Sequence, residues 1–396
     1  MPQERAASYR QVSLALFAAG MATFMTLYYV QGLLPAFSAD FAVSPTLAAM
    51  TVSLTTALLA LAIVPVSVLS ERFGRVRVMV WSVLLTSGLG LLLPWSPTFE
   101  ILLAGRAVQG LLCAGVPAVA MAYLVEEVEG RSVGAAMGIY VAGTSFGGLI
   151  GRVVPTVGLE ITTWNWAFQI VTVLAAMFAV IFVYQVPPSK NFHPRRPSVR
   201  DIVAAQVAHL RDGALLCLFA LGFLLLGGFM AMYNYLAYRL LEPPFSLRPS
   251  LIGLIYVLYL VGTGSSAVAG RLGDRVGRGR VLLAAVLVMC AGLAVSLSSV
   301  LAVFLSGVAL ATAGFFAAHS VVSGWVPLRA RANRSGASSL YLLSYYLGRS
   351  VLGQLAGPVF ATYGWTGLVV YVAIVLFIGT ALVAVLLRLI AAPRPG

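Results

Sequence analysis

Twelve stretches of about twenty mostly apolar residues run through this chain, and they limit its possible folds more than any other feature. A bilayer-crossing helix needs about 20 such residues. Only helices and closed barrels satisfy their own backbone hydrogen bonds inside lipid. The stretches fall at 11–37, 46–69, 78–95, 100–125, 132–156, 165–186, 214–239, 250–270, 281–299, 301–325, 335–360 and 365–388. Adjacent spans nearly merge at 94–97 and at Ser298-Ser299. Composition agrees: of 396 residues, 60% are hydrophobic and only 9% charged. Soluble domains run at about 45–50% apolar and about 25% charged. Too few polar residues remain to cover a water-facing surface, which excludes a soluble enzyme and a disordered chain. It also excludes a nucleic-acid binder, despite a net charge of +13.

That charge comes from 24 arginines and one lysine, and its placement sets an orientation. Basic residues accumulate on the cytoplasmic side of membrane proteins. With both termini placed there, the inner segments hold 20 of the 25 basic residues: Arg5, Arg10, Arg72, Arg75, Arg77, Arg131, Lys190, Arg195, Arg196, Arg200, Arg211, Arg271, Arg275, Arg278, Arg280, Arg329, Arg331, Arg334, Arg388 and Arg394. Only Arg239 and Arg248 lie near outer loops, and Arg106, Arg152 and Arg349 fall within spans. Residues 1–10 run straight into the first apolar stretch without a small-residue cleavage site, so that stretch reads as a retained span. The sequon Asn333-Arg-Ser335 then lies in an inner loop. Cys113, Cys217 and Cys290 sit inside apolar runs, odd in number and far apart, and read as packing residues rather than a disulfide framework.

The longest polar interval, 187–213, divides the chain into a first bundle at 1–186 and a second at 214–396. Residues 193–197 are basic and Pro-rich, and 201–212 can form a short amphipathic helix at the membrane surface. The halves repeat. The 2–3 loop reads Ser67-Val-Leu-Ser-Glu71-Arg72-Phe-Gly74-Arg75-Val-Arg77, and the 8–9 loop Gly270-Arg-Leu-Gly-Asp274-Arg275-Val-Gly277-Arg278-Gly-Arg280. The acid, the Gly and three Arg match at a shift of 203, which also carries Arg131-Ser132 onto Arg334-Ser335. Duplicated halves are a common transporter architecture, with the substrate site near the bilayer midplane.

Gly270-x-Leu-x-Asp274-Arg275-x-Gly277-Arg278 resembles the signature loop of the major facilitator superfamily. The first copy has Ser67 for Gly and Glu71 for Asp. Arg106-x-x-Gln109-Gly110 is similar to the superfamily's second motif. Leu34-Pro35 through Asp40 to Ser44 resembles the end of span one in twelve-span drug:proton antiporters. Span five, with Gly134, Gly143, Gly147, Gly148 and Gly151-Arg152, is similar to the antiporter motif, with Gly148 in place of its Pro and Arg152 in place of its last Gly. The nearest resemblance is to bacterial arabinose/acriflavine efflux-type members. It implies an all-α membrane protein of twelve transmembrane helices in two pseudo-symmetric six-helix bundles. It further implies a monomeric multi-pass protein of the bacterial inner membrane, a small-molecule substrate, and no cofactor beyond a coupling proton.

Glu71, Arg72, Gly74, Arg75, Gly270, Asp274, Arg275, Gly277 and Arg278 are the expected gating residues. Gly74 and Gly277 allow a sharp reversal because they lack Cβ. The resemblance implies that each acid attracts the positively charged start of a helix in the opposite half. Such attraction is worth about 0.3–1 kcal/mol, up to about 2 when partly buried, which suits a latch that must open. Gly143, Gly147 and Gly151, like Gly353 and Gly357, recur every four residues and let helix backbones approach closely; they read as static packing or as a sliding surface.

Ionisable groups inside a membrane are functional candidates by default. Counted at ~1.5 Å per residue, Arg106 lies about 9 Å from the outer end of its span, and Arg349 roughly 22 Å past Arg334. Arg152 reads as near the outer surface, where it can snorkel. Arg106, Gln109, Gly110 and His319 are the coupling candidates. His319 reads either as a structural hydrogen-bonded residue or as a titrating group, whose ordinary pKa of about 6.5 suits proton exchange. The superfamily fold lines its cavity with spans one, four, seven and ten. Thr26, Tyr28, Tyr29, Gln31, Tyr233 and Asn234 therefore become cavity candidates, joined by Tyr341, Tyr345 and Arg349 from one face of span eleven. All twelve acids fall at or near span ends, so a neutral or anionic solute is favoured over a permanent cation. The reading is a secondary transporter working by alternating access, a proton-coupled exporter of a small amphipathic, sugar-like or anionic solute. Uptake or facilitated diffusion of a small organic anion is the alternative. A membrane-bound enzyme is disfavoured by the absence of any metal-ligand cluster in the sequence, and a non-transporting receptor, though it fits the repeat, does not fit the polar cavity residues.

Overall fold

A computed structural model describes residues 9–128, 133–190, 192, 199–330 and 334–391. The sequon at Asn333, the arginines at 5, 131, 195, 196, 331 and 394, and the run 193–197 lie outside the described residues.

The first half contains α1 (Tyr9–Tyr28), α2 (Leu34–Asp40), α3 (Pro45–Phe73), α4 (Arg75–Leu92), α5 (Phe99–Cys113), α6 (Gly115–Glu127), α7 (Val133–Gly158) and α8 (Trp164–Gln185). The second contains α9 (Val199–Leu210), α10 (Gly213–Leu241), α11 (Pro249–Ile255), α12 (Tyr259–Val276), α13 (Arg278–Val295), α14 (Leu301–Arg329) and α15 (Arg334–Ala391). Among the described residues, eleven helical stretches are long and apolar enough to cross a membrane. The last of them is two helices in one, joined at Gly364, whose φ of 61° and ψ of −152° are not helical. Spans eleven and twelve therefore separate where the sequence places their boundary.

Three spans expected to be continuous are broken, span eight (250–270) by a 3-10 turn at Tyr256–Leu258 between α11 and α12. Span one, read as 11–37, stops at Tyr28, makes a 3-10 turn over Gln31–Leu33 and resumes as α2. Pro35 explains the break: it has no N–H to offer the Gln31 carbonyl, and its ring clashes with that carbonyl. Span four, read as 100–125, is interrupted at Ala114 between α5 and α6. There Pro117 deprives the Cys113 carbonyl of its partner in the same way.

The chain forms two compact units. One comprises Met1–Val43, Met50–Arg196 and Pro249–Gly253; the other comprises Ser44–Ala49, Pro197–Arg248 and Leu254–Gly396. In the first, α1 lies along α7. A Cβ at Gly147 or Gly151 would stand 2.6 or 2.8 Å from the carbonyl oxygen of Met21 or Met25, so the four-residue glycine spacing serves direct backbone packing. Val12, Leu16, Met79, Val83, Val116, Tyr123 and Phe182 fill the core around α1, α4, α6 and α8. In the second unit α10 lies along α15 and α13 along α14. Cys113 and Cys217 are buried, and all three cysteines are free thiols.

Candidate functional site

The break in span one exposes the last carbonyls of α1, and a buried cation fills the vacancy. A helix end leaves its final carbonyls without intrahelical partners and carries partial negative charge. Arg106, on α5, donates from Nη1 to Thr26 O at 3.1 Å and from Nη2 to Leu27 O at 3.4 Å. Its Nε reaches Thr51 O at 3.1 Å. Nη1 also donates to Gln109 Oε1, which accepts the Tyr29 hydroxyl at 2.7 Å. Gln109 Nε2 donates to Thr86 O at 3.0 Å. Thr55 Oγ1 donates to Arg106 O at 2.9 Å. Gly110 allows this approach, because a Cβ there would collide with the Thr55 carbonyl. Thr26, Tyr29, Arg106, Gln109 and Gly110, which the sequence nominated separately, thus form one network.

Arg152 belongs to the same region, which corrects its reading as a snorkelling residue. Arg106, Arg152 and Arg349 are 0, 1 and 0% exposed. Arg152 Nε donates to Gln31 Oε1 at 2.8 Å and Nη1 to Gly148 O at 2.7 Å. Its guanidinium carbon lies 3.8 Å from the Tyr28 ring centroid, while that of Arg106 lies 5.0 Å from the Tyr29 ring. Such cation–π contacts gain strength when desolvated. Two arginines from different spans thus grip the break in span one through consecutive tyrosines. Counting depth along α7 missed this, because the partners come from α1.

The second unit builds its candidate site from rings. His319 Nδ1 lies 2.8 Å from the Tyr341 hydroxyl, and its ring stacks on Tyr345 at 4.5 Å. Phe315 continues the stack, lying face to face with Phe229 at 3.9 Å. The Tyr233 hydroxyl shares a 2.8 Å hydrogen bond with Thr312 Oγ1. Asn234 and Arg349 are buried, while His319 and Tyr345 are partly exposed. The structure therefore brings together His319, Tyr341 and Tyr345, and Phe315 and Phe229 link them to Tyr233 and Thr312.

The two signature loops share a backbone. Gly74 has φ 98° and Gly277 φ 100°, each between two helices, a region open to residues without Cβ. Their charges differ. Arg75 donates to Glu126 through Nη2 at 3.0 Å and Nε at 3.3 Å, and through Nη1 to Ser70 Oγ at 2.6 Å. Glu71 stands 4.0 Å from it. Arg72 lies 5.4 Å from the Phe73 ring. Arg278 instead pairs with Asp274 at 2.8 Å. Arg275 is exposed, and a Cβ at Gly270 would meet Ser320 Oγ at an ordinary contact distance of 3.8 Å. Sequence reasoning did not single out Glu126, nor the pair of Arg329 with Asp212 at 3.0 Å. Asp212 also caps α10, accepting from Ala214 N at 2.9 Å and Leu215 N at 3.2 Å. Burial opposes ionisation of its carboxyl, but hydrogen bonds from Arg329 and Leu215, the Arg329 charge and the Ala214 N–H outweigh it and hold it below its ordinary range.

This arrangement is that of an α-helical membrane transporter. The family model of the Major Facilitator Superfamily matches residues 13–242 and 229–396, and the chain belongs to that superfamily. It is 40% identical over 385 residues to the uncharacterized MFS-type transporter YybF of Bacillus subtilis (strain 168), covering 97% of this chain and 95% of that one. It is likewise 40% identical over 370 residues to the inner membrane transport protein YnfM of Escherichia coli (strain K12), covering 93% and 89%. In fold it matches the crystal structure of a bacterial homolog of the human lysosomal transporter Spinster, inward-facing and unoccupied. That match has TM-score 0.80 and 16% identity, covering 99% of this chain and all of the other. The fold is accordingly twelve transmembrane helices in two six-helix bundles, and the protein is a multi-pass membrane transporter rather than an enzyme.

Proposed function

We propose that this transporter exports a small amphipathic, polyhydroxyl or anionic solute from the bacterial cytoplasm across the inner membrane, by alternating access coupled to protons. The observation that carries the solute class is the charge inside the spans. Three arginines are buried there, while every acid in the sequence lies at or near a span end. A buried guanidinium offers planar, charge-assisted hydrogen bonds to carboxylates and hydroxyls, and the interior offers a cation no comparable partner. His319, bonded to Tyr341 and stacked on Tyr345, is the titratable side chain we assign to proton coupling. Export follows the likeness of span five and of the end of span one to antiporter motifs.

The test is flux in proteoliposomes carrying a pH-sensitive dye, with a panel of small organic anions, sugars and organic cations of similar size. The expected result is solute-dependent proton movement opposite to the solute, confined to anions or polyhydroxyl compounds. Saturable solute flux with no proton movement would replace this reading with facilitated diffusion. A response restricted to cations would remove the assigned solute class.

A further inference from the structure

The three arginines of the 2–3 loop are used differently. Arg75 is buried and held by Glu126 and Ser70. Arg77, two residues later on α4, is exposed and makes no ion pair among the described residues. It stands at one end of a crevice of about 430 Å³ between α3, α4 and the α5–α6 junction. The walls are apolar: Leu69, Phe73, Trp81 and Leu111 line it, and all four are exposed. Gly115 and Ser82 form its floor, and a Cβ at Gly115 would collide with Ser82. Gly115 follows the interruption of span four at Ala114 and is itself buried. Arg72, exposed and over the ring of the lining residue Phe73, is a second cation near the crevice.

An apolar crevice with a cation at one end and a second nearby, on the membrane-facing surface of a spanning helix, matches one occupant. We propose that it is a specific site for an anionic phospholipid of the phosphatidylglycerol type. The headgroup phosphate would be bound by Arg77 with Arg72 nearby, and one acyl chain would lie along Trp81 and Leu111. Basic residues beside spanning helices attract anionic headgroups, and an aromatic wall such as Trp81 suits a lipid boundary. By the positive-inside reading, the lipid comes from the inner leaflet. The repeat supplies an internal control. At the shift of 203, Arg77 corresponds to Arg280, which is also exposed. Phe73, Trp81 and Leu111, however, correspond to Val276, Ala284 and Gly314. Leu69 corresponds to Leu272, so the second half keeps the cation and part of the apolar wall but lacks the aromatic residues and Leu111.

The test uses the purified full-length protein, stripped of lipid in detergent and titrated with palmitoyl-oleoyl phosphatidylglycerol or the matching phosphatidylethanolamine. Bound lipid is counted by native mass spectrometry. The expected result is one phosphatidylglycerol retained at least tenfold more tightly than phosphatidylethanolamine. Arg77→Gln should abolish that preference, Arg77→Lys should keep most of it, Trp81→Ala should weaken both lipids, and Arg280→Gln should change nothing. Equal retention of the two lipids by the unaltered protein would overturn the proposal. So would a preference that survives Arg77→Gln, an equal loss in Arg280→Gln, or displacement of the lipid by millimolar inorganic phosphate, which marks a free-anion site.

Discussion

The 2–3 and 8–9 loops have the same glycine turn and nearly the same residues, yet their arginines are held in opposite ways. Arg75 crosses to Glu126 and joins the start of α4 to the end of α6, with side chains 10% and 28% exposed. Arg278, its counterpart at the shift of 203, turns back onto Asp274 in the preceding turn, at 32% and 68%. The reason lies elsewhere in the repeat. The position matching Glu126 is Arg329, which would repel Arg278 and instead pairs with the α10 cap Asp212. The first half therefore has a clamp between consecutive spans, whereas the second ties the end of α14 to the start of α10 and leaves its loop with a local, solvent-exposed pair. A shared turn does not imply a shared electrostatic role.

That contrast can be broken at the clamp first. Glu126→Gln leaves Arg75 largely buried without its carboxylate. A loss of about 2–3 kcal/mol in unfolding stability is expected, between the values for buried and exposed pairs, read as a lowered thermal midpoint in detergent. A change as small as that of an exposed pair would show that the clamp carries no load.

Asp212→Asn is next: Asn can still cap α10, so the loss, about 1–2 kcal/mol, is that of the partly buried pair with Arg329. Here pH gives the sign. Because the folded carboxyl is held below its ordinary range, its contribution is complete above the unfolded pKa of about 3.9. It fades as pH falls through the lower folded value. The stability difference between Asp212→Asn and the unaltered protein should therefore shrink on acidification; a difference independent of pH would contradict the assignment.

Asp274→Asn should have the smallest effect on stability, under about 1 kcal/mol for an exposed pair. Its effect should appear in transport instead, and exceed that of Glu71→Gln, because Asp274 sits in the complete signature. Binding should survive both changes, since a latch biases states without forming the site. Full transport by the Asp274→Asn protein would remove its gating role.

The spans, the repeat and the glycine turns could be read from sequence because each depends on local composition or spacing. Gly74 and Gly277 stand out as the punctuation of matched loops, and the structure gives both a positive φ. The arginine sites could not be read in the same way. Arg106 depends on carbonyls freed by a break in span one, and a continuous apolar run conceals that break unless Pro35 is weighed against it. Arg152 looked peripheral by residue count along its own helix, but Tyr28 and Gln31 meet it from α1. His319 and Tyr341 lie on different spans, so only packing makes them neighbours. Glu126 and Arg329 could have been noticed as an inverted charge pair under the repeat's own shift.

The most direct test of the account is transport by variants of Arg349, the buried arginine on the same helical face as Tyr341 and Tyr345. In proteoliposomes loaded with an accepted solute, Arg349→Ala should abolish flux. Arg349→Lys should restore it only in part, since it keeps the charge but loses the planar fork. Normal flux through the Ala variant would contradict a substrate site built on buried arginine.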